Sequence, residues 1–224
     1  MLILRPNDPA AVPREAARWV ANKARAAVKE RGRFSLAVSG GTTPWQMLQA
    51  LAEEEMPWPE VHFFQVDERV APAGDADRNL THLRASLAHA PLPPENLHPM
   101  PVNDADLEAA AEGYARALER VCGSPAVLDV VHLGLGADGH TASLVPGDPA
   151  LVITDSDVAL CSVYQGRRRM TLTYPILNRA RAILWLATGE GKREMLQRLV
   201  HSDQSIPAGR VSQENAVLMT DLKL

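Results

Sequence analysis

The sequence predicts an α/β domain, with a mostly parallel β-sheet covered by helices on both faces and a small antiparallel β excursion near 155–175. Three observations carry this. Apolar, strand-like runs alternate with segments of helical period along most of the chain. Two of those runs, 128–133 and 182–187, are apolar almost throughout, as a strand buried on both faces requires. Between 155 and 175, by contrast, DVALCSVY and RMTLTY follow one another with little helix between them. The 224 residues, 46% of them apolar, suffice for one domain spanning 1–224.

Taken in order, a short LIL strand precedes an amphipathic helix over 9–31, whose Pro13, Ala16, Ala17, Val20, Ala24, Ala27 and Val28 recur at the helical period. FSLAVSGG (34–41) reads as a strand running into glycines. TTPWQMLQALAEEE then reads as a helix with a threonine N-cap and a proline in its first turn. VHFFQVDE (61–68) is the next strand, followed by a loop and a helix from about Asn79 to His89, after which Pro91, Pro93 and Pro94 stop the chain. Residues 104–121 show helical spacing through Leu107, Ala110, Ala111, Tyr114, Leu118 and Val121. The second half holds the strand LDVVHLGL, the two runs of the excursion, the strand AILWLAT, a helix over KREMLQRLV and a last strand near AVLMTDL. This alternation is that of a Rossmann-like sheet.

A net charge of −4 supplies no global attraction to nucleic acid or to anionic membranes, so an anionic ligand has to be held by a local basic cluster. No apolar run reaches the roughly 20 residues that cross a bilayer. Cys122 and Cys161 lack metal-ligand spacing, and MLILRPND is too short and too soon charged for a signal peptide, so the expected compartment is the cytoplasm. No zinc-like ligand spacing, Walker loop or GxSxG elbow is present. No metal is therefore expected.

Ligands of open parallel sheets bind beyond the carboxyl ends of the strands, so polar groups placed just after apolar runs should meet in space. SGGTTP (39–44), DER (67–69), GADGH (136–140) and TGEGK (188–192) are four such places. Ser39, Gly40, Gly41 and Thr42 read either as a small phosphate loop at a helix start or as an ordinary tight turn. Asp67 and Glu68 are either loop caps or site residues. Arg69 either binds a phosphate or pairs with its acidic neighbours. Arg167, Arg168 and Arg169 read as a solvated charge run from which at most one points inward. Lys192 is one of only four lysines, against nineteen arginines, and stands at the same sheet edge. In GLGADGHTASLVPG (134–147), Gly134, Gly136 and Gly139 allow a sharp turn and close approach to a ligand, while Asp138 and His140 pair a carboxylate with an imidazole. His140 reads as an oriented base or as a loop histidine satisfying local backbone groups. His62, His82, His89, His98 and His201 read as structural or surface residues and His132 as a core residue. Without an activated serine or cysteine, water is the expected nucleophile.

Together SGGTTP, VDER followed by Asn79, GLGADGHTASLVPG, RMTLTYPILNRA and TGEGK resemble the 6-phosphogluconolactonase family, over most of the chain. A more distant resemblance extends to the glucosamine-6-phosphate deaminases, which have a glutamate five residues after the histidine. Here that position is Val145. Its loss favours the lactonases, because isomerisation with ammonia release needs more proton-transfer groups than lactone hydrolysis. Two local departures from the lactonase pattern are Val145, where an aromatic residue is common, and Arg78, where a serine is usual; both are expected to affect loop packing.

The resemblance implies hydrolysis of 6-phosphoglucono-1,5-lactone in the pentose phosphate pathway without metal or organic cofactor. It implies that Ser39, Gly40, Gly41, Thr42, Arg69, Arg169 and Lys192 hold the substrate phosphate and nearby hydroxyls. His140 would move the proton, Asp138 would hold the imidazole and Asp67 would orient the sugar. Backbone N–H groups of Gly136 and Gly139 are the expected oxyanion donors. The phosphate role of Arg169 requires the strand at 170–173 to run antiparallel. The expected partner is the small-molecule sugar-phosphate lactone, with no nucleic acid and no membrane, and the chain is a monomer or a dimer. The alternatives are the deaminase and a non-catalytic sugar-phosphate sensor.

Overall fold

A computed structural model describes residues 1–224. The chain runs β1 (Leu2–Leu4), α1 (Val12–Arg31), β2 (Phe34–Val38), α2 (Thr42–Ala52), β3 (Val61–Gln65), β4 (Asp67–Arg69), α3 (Asn79–Ser86), β5 (Leu97–His98), α4 (Leu107–Cys122), β6 (Val130–Leu133), β7 (Val158–Tyr164), β8 (Arg167–Leu172), α5 (Tyr174–Arg179), β9 (Ile183–Leu186), α6 (Arg193–Val200) and β10 (Ala216–Met219). Seven strands form a parallel sheet in the order β1-β10-β9-β6-β2-β3-β5. A second sheet, β4-β8-β7, is antiparallel.

The central strands are buried at every residue, and their side chains divide by parity between two cores. Leu36, Val38, Phe63, Val130, Leu184 and Leu186 pack against α1, α2 and α3. Ala37, Phe64, Val131, Leu133, Ile183 and Trp185 face the other way, toward α4, α5, α6 and the small sheet. Helix α4 starts where Asp106 accepts the Ala109 N–H at 3.0 Å, and α1 ends at Gly32 in the left-handed conformation. No helix is long and apolar enough to cross a membrane.

Three expectations need correction. The run 61–68 is not one strand: Val66 donates its N–H to Val38 of the main sheet, and its carbonyl accepts from Leu172 of the small one. The chain thereby changes sheets, and Asp67–Arg69 pairs antiparallel with β8, so the excursion has three strands. The threonine N-cap is absent. Helix α2 begins at Thr42 itself, with Gly41 (φ 136°) in the cap position and no capping side chain. Finally, the RMTLTY run does not stay extended, since α5 begins at Tyr174 with Pro175 in its first turn. Six residues are too few to display a helical period.

Walking from β2, the chain goes one way to β3 and β5 and the other way to β6, β9, β10 and β1. The topology therefore reverses between β2 and β6, and a crevice opens beyond their carboxyl ends.

Candidate active site

That crevice holds a cavity of about 620 Å³. It gathers the four loops expected from sequence, through Ser39, Gly40, Gly41, Thr42, Asp67, Arg69, Gly136, Asp138, His140, Arg169 and Lys192. Gly139 is the one predicted site residue that does not line it.

One wall is the start of α2. The N–H groups of Gly40, Gly41, Thr42 and Thr43 have no acceptor within the protein, the first intrahelical bond being Trp45 N–H to the Gly41 carbonyl at 3.1 Å. The missing cap thus leaves donors, and the positive end of the helix dipole, to a ligand. Beneath the loop, buried His132 accepts the Ser39 N–H on Nδ1 at 3.3 Å. Burial pushes the His132 imidazole down to about 3, so it is a neutral acceptor. The Ser39 hydroxyl is buried without a partner.

The second wall is the small sheet. Asp67 is buried, and its carboxylate accepts the Ser143 hydroxyl at 2.6 Å. Arg69 donates to Asn79 Oδ1 at 2.6 Å, while Asn79 Nδ2 donates to the Asp67 carbonyl at 2.9 Å. Asn79 also explains Gly40: a Cβ there would lie 2.1 Å from Asn79 Oδ1. Glu68 turns inward as a structural residue. It accepts the N–H groups of Arg69, Asn79 and Leu80, each at 2.8 Å, and forms an ion pair with buried Arg78 at 3.0 Å. Arg78 is therefore the counter-charge that allows Glu68 to cap α3 from within the core.

Arg169 is the single inward member of its run, because β8 is antiparallel to β4 and β7. It sits over the Tyr164 ring at 4.9 Å and donates to Gln165 Oε1 at 3.1 Å. Burial lowers its pKa from the usual guanidinium value, an effect opposed by the charge of Asp67. Arg167 instead pairs with Asp75 and Asp77, and Arg168 with Glu108. The Nε groups of Arg69 and Arg169 are buried and unpartnered.

The third wall is the glycine turn after β6. His140 Nδ1 lies 2.5 Å from Asp138 Oδ1, and its backbone N–H meets the same oxygen at 3.1 Å. A carboxylate only accepts, so Nδ1 carries the proton and the Nε2 lone pair is left free. Burial raises the Asp138 pKa, but hydrogen bonds from the His140 backbone and ring and from the Tyr164 hydroxyl outweigh it, and the net shift is downward. Gly136 packs so closely on this pair that a Cβ would lie 2.1 Å from His140 Nδ1. Lys192 donates to the Leu135 carbonyl at 2.7 Å, tying the turn to the loop after β9.

The expected oxyanion donors, Gly136 and Gly139, are both engaged. The Gly136 N–H is bonded to the His140 carbonyl at 2.8 Å and the Gly139 N–H to the Gly136 carbonyl at 3.1 Å, so neither is available. Both hydrogen bonds close the turn itself. Leu135 and Ala137 line the cavity with N–H groups that have no partner.

Sequence reasoning gave no role to Tyr164, Gln165, Asn79 or Thr188, all of which line the cavity. Tyr164, Gln165 and Thr188 end strands or follow them, the signal that identified the other loops. Thr188 Oγ1 lies 3.0 Å from Thr43 Oγ1 and joins two walls.

Comparison with known proteins agrees with this geometry. Residues 7–220 match the family described as glucosamine-6-phosphate isomerases/6-phosphogluconolactonase. A 6-phosphogluconolactonase of Synechocystis is 39% identical over 175 residues, covering 76% of this chain and 72% of that protein. One of Mycobacterium tuberculosis is 35% identical over 211 residues, covering 88% and 85%. The crystal structure of 6-phosphogluconolactonase from Thermotoga maritima superposes with a TM-score of 0.86 at 26% identity, covering 98% of both chains. A monomeric glucosamine-6-phosphate deaminase shares the fold at a TM-score of 0.84 and 18% identity. The chain belongs to the glucosamine-6-phosphate isomerase/6-phosphogluconolactonase family.

Proposed function

We propose that the protein hydrolyses 6-phosphoglucono-1,5-lactone to 6-phosphogluconate. The observation that carries this reading is the His140–Asp138 pair facing a cavity whose opposite walls supply Arg69, Arg169 and four unpaired N–H groups. One side of the cavity moves a proton while the other holds an anion.

The phosphate is bound by Arg69, Arg169 and the 40–43 N–H groups, with Ser39 and Lys192 at its margins. Asp67, held by Ser143, accepts from a sugar hydroxyl. His140 Nε2 takes a proton from water as the water oxygen bonds to the lactone carbonyl carbon. Asp138 stabilises the resulting imidazolium. The N–H groups of Leu135 and Ala137 receive the oxyanion, a donor of this type contributing about 3 kcal/mol. The tetrahedral intermediate then collapses, the bond to the ring oxygen breaks, and His140 returns the proton to that oxygen. One water is consumed and a carboxylic acid is formed, so no redox or metal step is needed for balance. Because δ-lactones also open spontaneously, one base and a positioned water are chemically sufficient.

Five residues after His140 stands Val145, a buried side chain that does not line the cavity. The extra proton-transfer group of a deaminase therefore has no counterpart there. Supporting a reducing, cytoplasmic setting, Cys122 and Cys161 are both unpaired and buried. The test is acid release from freshly generated 6-phosphoglucono-1,5-lactone, which the purified protein should accelerate above the spontaneous rate. An unchanged rate refutes the reading, and ammonia release from glucosamine 6-phosphate would replace it with the deaminase.

A further inference from the structure

The two halves of the cavity, proton-moving and anion-holding, meet at one side chain. Tyr164 ends β7 at the tip of the β7–β8 hairpin, where Gln165 and Gly166 turn the chain at φ 51° and 78°. Its hydroxyl donates to Asp138 Oδ2 at 3.1 Å. Its ring meets His140 edge-on, with centroids 5.4 Å apart, and carries the Arg169 guanidinium at 4.9 Å.

Tyr164 reaches this position through an irregularity in the ladder. Cys161 pairs with Arg169 but Tyr164 pairs with Arg167, so three steps along β7 match two along β8. Without the extra residue, Val163 would share the face of Arg169. The bulge gives that face to Tyr164 and leaves Val163 exposed. Arg167, paired to Asp75 and Asp77 at 3.2 and 3.1 Å, braces the hairpin tip against the loop that leads to Asn79.

The two oxygens of Asp138 have different partners. Oδ1 serves the ring and backbone of His140, whereas the only protein donor to Oδ2 is Tyr164. Rotation of the carboxylate out of the imidazole plane is thus opposed by that one hydroxyl.

We propose that Tyr164 is a positioning residue, fixing the Asp138 carboxylate against His140 through its hydroxyl and supporting Arg169 through its ring. Proton transfer and anion binding then depend on one side chain through two separable contacts. The kinetic part of this inference rests on the lactonase reading above.

Two variants separate the contacts. Tyr164→Phe keeps the ring and removes the hydroxyl. We expect kcat to fall about tenfold with KM within twofold, as for loss of a contact used in the chemical step. In the free protein, the NMR signal of the His140 Nδ1 proton should move upfield, because a carboxylate free to rotate holds that proton less tightly. Tyr164→Leu removes the ring as well, and should in addition weaken binding of inorganic phosphate several-fold. An unmoved His140 Nδ1 proton signal in Tyr164→Phe, or a kcat within twofold of the parent, overturns the role of the hydroxyl. Equal phosphate affinity in the Leu and Phe variants overturns the role of the ring. The spectroscopic and phosphate measurements need no turnover. If the parent protein fails to accelerate lactone opening, the proposed function falls while Tyr164 is still tested.

Discussion

Replacing Glu68 by Gln should unfold this protein well below its normal temperature, although Glu68 touches no ligand. Its side chain is fully buried. Oε1 accepts from Arg69 N–H and Asn79 N–H, and Oε2 from Gln65 Nε2 and Leu80 N–H, all at 2.8 to 2.9 Å. Arg78 Nε stands 3.0 Å from Oε2 at 3% side-chain exposure. In either orientation, the glutamine amide turns an NH2 group toward at least two donors. The Arg78 guanidinium is left buried without a counter-charge. Breaking a buried pair from one side costs about 3–5 kcal/mol, and each orphaned N–H about 1–3 kcal/mol more, but the terms overlap. Taking about 4 kcal/mol, and the roughly 2–4 °C per kcal/mol of a chain this size, Tm should fall by about 8–16 °C. Thermal unfolding followed by circular dichroism at neutral pH measures this directly. Adding Arg78→Met should restore part of the loss, because the orphaned charge is removed with its partner. A single variant that melts within about 3 °C of the parent would refute this account of the Glu68–Arg78 pair.

Three other outcomes follow from the geometry. His140→Ala should lower kcat by roughly 10²–10⁴ while leaving phosphate affinity nearly intact, and activity within a few-fold of the parent would remove His140 as the base. Gly40→Ala places a methyl group where Asn79 Oδ1 lies, so the Arg69–Asn79–Asp67 link must open. Phosphate binding measured by calorimetry should weaken at least tenfold, and an unchanged affinity would sink the role given to that link. His132 is held at about 3 by burial and is near 6.5 in the unfolded chain, so below pH 6.5 the unfolded state binds the proton first and stability falls with pH. Between pH 6.5 and 4.5 this amounts to about 2.3 kcal/mol. Urea unfolding at pH 6.5 and 4.5 should therefore show a larger loss for the parent than for His132→Gln, and equal losses would refute it.

How far the sequence discloses this site depends on the kind of interaction involved. The parallel sheet is legible because a strand buried on both faces cannot carry polar side chains, and 130–133 and 183–186 carry almost none. The four loops are legible because they break those runs. Helix α5 and the separation of β4 from β3 are not, since both depend on which sheet accepts a given N–H, a tertiary matter. The turn at 134–140 marks both its glycines and its proton-moving pair, yet which N–H groups remain free depends on bonds the turn makes to itself. In the sequence Arg78 is only an unusual loop residue; its pairing with Glu68 is visible only once both are seen to be buried. The role of Tyr164 rests on a one-residue slip in pairing, which leaves no compositional trace.

The first and last strands of the chain lie side by side, Leu2 against Val217 and Leu4 against Met219. Every cavity loop follows a strand nearer the middle of the sheet or belongs to the small sheet, but the residues after β10 reach one of them: Asp221 accepts the Gly189 N–H at 2.9 Å and the Lys223 carbonyl accepts from Arg193 at 2.7 Å. Since the two strands are parallel, a peptide joining the present ends has only to run back along one four-residue strand, about 13 Å at 3.3 Å per residue, in addition to spanning residues 220–224. A circular permutant closed there should therefore leave residues 221–223 in place and be reopened away from the 75–79 loop, which holds Arg167 through Asp75 and Asp77.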